Sequence, residues 1–82
     1  MENRKFVMHT VRSDIMVGDL VNFHTFDGLN EFASISEIIE IGEKPFFNSR
    51  GSYHEIKGTV QVVNRDYSEA SRVTQGTARE IN

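Results

Sequence analysis

The stretch Leu20-Val21-Asn22-Phe23-His24-Thr25-Phe26-Asp27-Gly28-Leu29-Asn30-Glu31-Phe32-Ala33-Ser34-Ile35-Ser36-Glu37-Ile38-Ile39-Glu40-Ile41 decides the fold. Its first seven residues alternate, with Val21, Phe23 and Thr25 on one face of an extended chain and Leu20, Asn22, His24 and Phe26 on the other, which is the period of a strand. Asp27-Gly28 then supplies the dipeptide that closes tight hairpins, because both residues tolerate positive φ. The remainder reads in two ways. As a strand, Ala33, Ile35, Ile39 and Ile41 share a parity that Glu37 interrupts, and the break at Ser36-Glu37-Ile38 is a bulge or sharp bend. As a helix, Phe32, Ile35 and Ile39 fall at i, i+3 and i+7, Ser34 and Glu37 have capping-box spacing, and Gly42 sits where a C-cap belongs. The strand is favoured: a hairpin turn needs a partner strand, and four Ile are costly in a short helix. A helix here would dismantle any barrel.

Outward from this stretch the chain stays β-rich. Lys5 to Val11 is a run of β-formers apolar on both parities, expected as a first strand covered on both faces. Ser13 to Asp19 has turn chemistry. Gly42 to Gly51 is expected as a loop, with Lys44-Pro45 enforcing extended backbone and Asn48-Ser49-Arg50-Gly51 a turn. Tyr53 to Asn64 is the clearest later strand, with Ile56, Val60 and Val62 on one parity and Gly58 allowing a kink or close approach. Asp66 and Glu69 have N-cap spacing, so one or two helical turns are expected over Tyr67 to Val73. Residues 1–75 thus read as one β-rich domain, and 76–82, whose only large apolar residue is Ile81, as a frayed tail.

The phrase Asp14-Ile15-Met16-Val17-Gly18-Asp19-Leu20-Val21, leading into a strand and hairpin, resembles the opening of many small SH3-like barrels. It covers eight residues and recurs across unrelated families. The expectation is a mainly β domain, a small SH3-like or open barrel of four or five strands with a short C-terminal helix.

Composition narrows the function. Eighty-two residues support a single modest core, whose marginal stability makes self-association into a homo-oligomer plausible. Cysteine is absent, which excludes disulfide staples and thiolate metal sites and fits a reducing compartment. The charged start has no apolar stretch behind it and no apolar run reaches bilayer length, so a cytoplasmic protein without membrane contact is expected. Net charge is −3, against a dedicated duplex-DNA binder. The charge is unevenly placed: residues 13–43 carry Asp14, Asp19, Asp27, Glu31, Glu37, Glu40 and Glu43 with no Lys or Arg, while both flanks are mildly basic.

No catalytic set, phosphate loop or cofactor motif stands out, and an enzyme is not expected. His9, His24 and His54 fall in separate strands; the nearest pairings, His24 with Asp27 and His54 with Glu55, read as ordinary surface residues rather than a metal or acid/base site. The interval 44–58 interleaves bases and aromatics. As a protein-binding surface, Phe46, Phe47, Arg50 and Tyr53 would anchor a partner while Glu37, Glu40 and Glu43 steer docking on a basic surface. Nucleic-acid-handling proteins present such surfaces, so a stoichiometric inhibitor or accessory factor is the first expectation. The second is a nucleotide or single-stranded nucleic-acid binder in which Lys44, Phe47, Arg50, Tyr53, His54 and Lys57 meet bases and phosphates.

Overall fold

A computed structural model describes residues 2–46, 50–63 and 74–82. Five strands, β1 (Arg4–Thr10), β2 (Leu20–His24), β3 (Asn30–Pro45), β4 (Ser52–Val62) and β5 (Thr74–Glu80), form a closed barrel in the order β1-β4-β3-β2-β5. All neighbours are antiparallel except β2 and β5, which run parallel. Among the described residues there is no helix, and so none long and apolar enough to cross a membrane.

The ambiguous stretch is a strand. Val21, Phe23 and Thr25 turn into the barrel as their alternation requires. Val21 and Phe23 meet Phe6, Met8, Ala33, Ile35, Ile56, Val60 and Ala78 in one apolar core, with Ile15 closing over it from the β1–β2 connection. Gly28 takes a φ of 85° in the β2–β3 turn, where its missing Cβ removes the usual steric penalty. Asp27 accepts a hydrogen bond from the Thr25 hydroxyl in the same turn.

The break at residues 36–38 proves to be two irregularities. Ile35 pairs with Val60 and Glu37 with Thr59, leaving Ser36 extra; Ile38 pairs with Gly58 and Glu40 with Lys57, leaving Ile39 extra. Each extra residue bends the strand and adds twist, so β3 leaves β2 and continues beside β4 alone. The parity expected for the isoleucines is overturned in part: the first bulge puts Ile38 on the core, the second leaves Ile39 as an extra residue 63% exposed, and Ile41 returns to the face of Ile56 but lies outside the core at 58% exposed. Gly58 sits opposite the double bulge. A Cβ there would lie 2.0 Å from the Glu37 carbonyl oxygen.

Two other expectations are corrected. Residues 42–45 belong to β3 rather than a loop, with Lys44 opposite Tyr53 and Pro45 opposite Ser52, because cross-strand pairing extends the hairpin up to Phe46. Nor is the C-terminus frayed. β5 lies between β1 and β2, so its backbone pairs on both sides although its side chains are mostly small or polar. The helical turns expected over Tyr67 to Val73 lie outside the described residues.

Glu80 locks this closure. Its carboxylate accepts two hydrogen bonds of 2.7 Å from the Arg4 guanidinium and one of 3.1 Å from the Phe26 amide, tying β5 to the start of β1 and the β2–β3 turn. Arg4 also lies 5.5 Å over the Phe23 ring, a cation–π contact.

Replacing Gly58 with Ala should destabilise the fold by at least about 2 kcal/mol in urea denaturation, because the obstacle is backbone and cannot rotate away. Glu80→Ala, which leaves Arg4 and the Phe26 amide without their acceptor, should cost about 2 kcal/mol by the same measurement.

Candidate functional site

The residues singled out between 44 and 58 do not share one loop or one face. They line the two arms of the β3–β4 hairpin, and strand alternation sends neighbours to opposite sides. Tyr53, Glu55 and Lys57 point to the outer surface shared with β1, where Glu55 stands opposite His9. His54 turns to the other side, lining a small depression with Arg12, Ser13, Ile15, Ile41 and Ile56. Lys44 lies opposite Tyr53, and Arg50 is exposed in the turn. Phe47 lies outside the described residues.

An aromatic cluster does form. The Phe46 and Tyr53 rings are 5.5 Å apart and tilted, and the His9 ring meets Tyr53 edge-on at 5.4 Å. With Thr10 and Val11 these rings wall an open, largely apolar cleft of about 400 Å³. His9 was not among the residues expected to bind anything. Its role depends on β1 lying beside β4, a neighbour 46 residues away that spacing along the chain does not reveal.

The histidine pairings differ from those suggested by chain proximity. Glu55 engages His9, at 2.9 Å, rather than His54; His24 engages Asn30, at 2.8 Å, rather than Asp27. A carboxylate and an amide oxygen only accept, so the His9 Nε2–H and the His24 Nδ1–H are the donors. The hydrogen bond from His9, aided by Lys44 and Lys57, holds the Glu55 carboxyl below its ordinary range against a smaller opposing effect of burial. No group of three or more His, Asp or Glu among the described residues is placed to hold a metal ion.

The acidic stretch divides into two kinds of residue. Asp14 pairs with Arg12 at 2.8 Å, Asp19 accepts from the Met16 amide, and Asp27 accepts from Thr25; these carboxylates organise connections. Glu37, Glu40 and Glu43 are exposed along the far half of β3. Glu43 also accepts a hydrogen bond from Ser52. In this half β3 pairs with β4 on one side, and no other described strand lies along its second edge. The result is an unpaired strand edge carrying Glu37, Glu40 and Glu43, with Ile39 and Ile41 exposed between them.

Because the folded Glu55 carboxyl titrates below its unfolded value, its interaction with His9 stabilises the fold above the unfolded pKa and is lost as pH falls through the folded one. Carboxyl-carbon NMR titration should place Glu55 below the ordinary glutamate midpoint, and His9→Ala should move it back up. Scans against protein-family models, curated proteins and solved structures match nothing for this chain.

Proposed function

We propose that this chain is a non-enzymatic binding protein that takes an extended, basic segment of another protein along the unpaired edge of β3. The observation behind this reading is the edge itself: among the described residues, 36–45 pair on one side only, bear Glu37, Glu40 and Glu43, and expose Ile39 and Ile41. An added strand gains main-chain hydrogen bonds at such an edge, and side chains alternating between basic and β-branched types match the carboxylates and isoleucines. The aromatic cleft of Phe46 and Tyr53 at the hairpin tip receives a hydrophobic anchor from the same partner. A cytoplasmic inhibitor or accessory factor docking on a nucleic-acid-handling protein fits this chemistry. Pairing between two copies through the same edge is disfavoured, since it sets carboxylates against carboxylates.

A nucleotide or single-stranded nucleic-acid binder is the second reading, favoured by the aromatic cleft with Lys44 beside it. Against it, Arg50 and His54 do not converge on that cleft, and Glu55 lies close by.

Selection of linear peptides displayed on phage tests the first reading. Recovered sequences should be rich in Lys or Arg alternating with Val or Ile, and their binding should slow the exchange of amide protons in 36–45. Reversing Glu37, Glu40 and Glu43 to Lys should lower the association rate at least tenfold at low salt, and Tyr53→Ala should cost about 2 kcal/mol of binding. Peptides that bind while the 36–45 amides stay unprotected, or that bind equally well after charge reversal, rule the edge out.

A further inference from the structure

On the outer wall of the barrel, a depression of about 280 Å³ is lined by Val7, His9, His24, Thr77 and Arg79. It owes its composition to β5. Arg79 stands opposite Val7 of β1 on one side and beside His24 of β2 on the other, and Thr77 precedes it by two residues on the same face. Arg4 and Arg12 are each committed to a carboxylate. The Arg79 guanidinium makes no hydrogen bond or ion pair to any described residue. His24 uses Nδ1 to donate to Asn30, which leaves Nε2 open.

We propose that this depression holds a phosphoryl group, carried by a small ligand whose planar ring lies in the adjoining aromatic cleft: a nucleoside monophosphate. The inference does not use the β3 edge; it rests on the second reading above, with the phosphoryl site moved from Lys44 and Arg50 to Arg79. Arg79 offers paired N–H donors in the fork geometry suited to phosphate oxygens, and the Thr77 hydroxyl adds a further donor. His24 Nε2 completes the set in either protonation state, donating as imidazolium to a dianion or accepting from the P–OH of a monoanion. Val7 supplies the apolar floor. His9 lines both this depression and the cleft of Tyr53 and Phe46, so the two adjoin at that residue. Charge sets the direction in which the ligand lies. The ionised Glu55, held by His9, repels an anion from the β4 side, so the phosphoryl group goes to Arg79 and the neutral ring to the aromatic side, where rings stack favourably.

Amide chemical-shift titration with the four common ribonucleoside 5′-monophosphates, adenosine and inorganic phosphate decides the matter. At least one monophosphate should shift residues 7, 9, 24, 77 and 79 together with Tyr53, and bind at least tenfold tighter than phosphate or adenosine. Arg79 is exposed and has no side-chain partner among the described residues, so Arg79→Ala should remain folded by circular dichroism, weaken the monophosphate at least tenfold and bring AMP to the level of adenosine. Tyr53→Leu should weaken the monophosphate and leave inorganic phosphate unchanged. The proposal falls if no monophosphate shifts these amides at millimolar concentration, or if Arg79→Ala binds as wild type. It also falls if a dodecathymidylate binds more than a hundredfold tighter with a salt slope of several phosphates, which would mark a single-strand track instead.

Discussion

Everything in this barrel depends on β5 lying between β1 and β2. Five short strands around so small a core leave two costly edges unless the sheet closes on itself. β5 closes it, antiparallel to β1 and parallel to β2. Its side chains bring little hydrophobic energy of their own, Ala78 being the one apolar residue it buries. Two-sided backbone pairing therefore holds it, and the Glu80 carboxylate, 8% exposed, pins its end to Arg4 and the Phe26 amide. Such a carboxylate is tolerated because its acceptor positions are filled, in part by a bidentate guanidinium.

A second constraint acts where β3 has outrun its partner. Sixteen residues cannot stay straight on a barrel this narrow, and the extra residues Ser36 and Ile39 let the strand coil away. Gly58 lets the β3 backbone approach β4 at that bend. The same bend that keeps Ile38 on the core leaves β3 with β4 as its one neighbour among the described strands from residue 36 onward. Bulges and charged side chains are also what proteins place on open edges to discourage promiscuous pairing. Glu37, Glu40 and Glu43 thus serve selectivity as well as attraction: they oppose a second acidic copy and admit a basic strand.

The two candidate surfaces arise from different levels of the fold. The β3 edge exists because one strand is locally irregular. The Arg79 depression exists because three strands distant in sequence, β1, β2 and β5, present their outward residues side by side. His9 lines both that depression and the aromatic cleft while its Nε2–H holds Glu55, so the charge pattern along the outer wall follows from β1 being flanked by both β4 and β5.

What the sequence determined by itself is what alternation and turn chemistry encode over a few residues: the shared face of Val21, Phe23 and Thr25, the Asp27-Gly28 turn, the common parity of Ile56 and Val60, the irregularity near Glu37 and the close approach that Gly58 allows. These are local because the strand period and the φ of a turn are properties of neighbouring residues. The tertiary structure alone decided the rest. Gly76 to Asn82 has Ile81 as its only large apolar residue and reads as a tail, yet a strand paired on both sides needs backbone partners more than side-chain hydrophobicity. Ile39 has core parity on paper and becomes the extra residue of a bulge, while Ile41, returned by the second bulge to the face of Ile56, lies outside the core cluster and stays 58% exposed. Glu55 finds His9 instead of the adjacent His54, since consecutive strand residues face opposite ways while register places residues 46 apart side by side. Pairing partners across a sheet are chosen by closure of the whole barrel, and no window of local sequence contains that information.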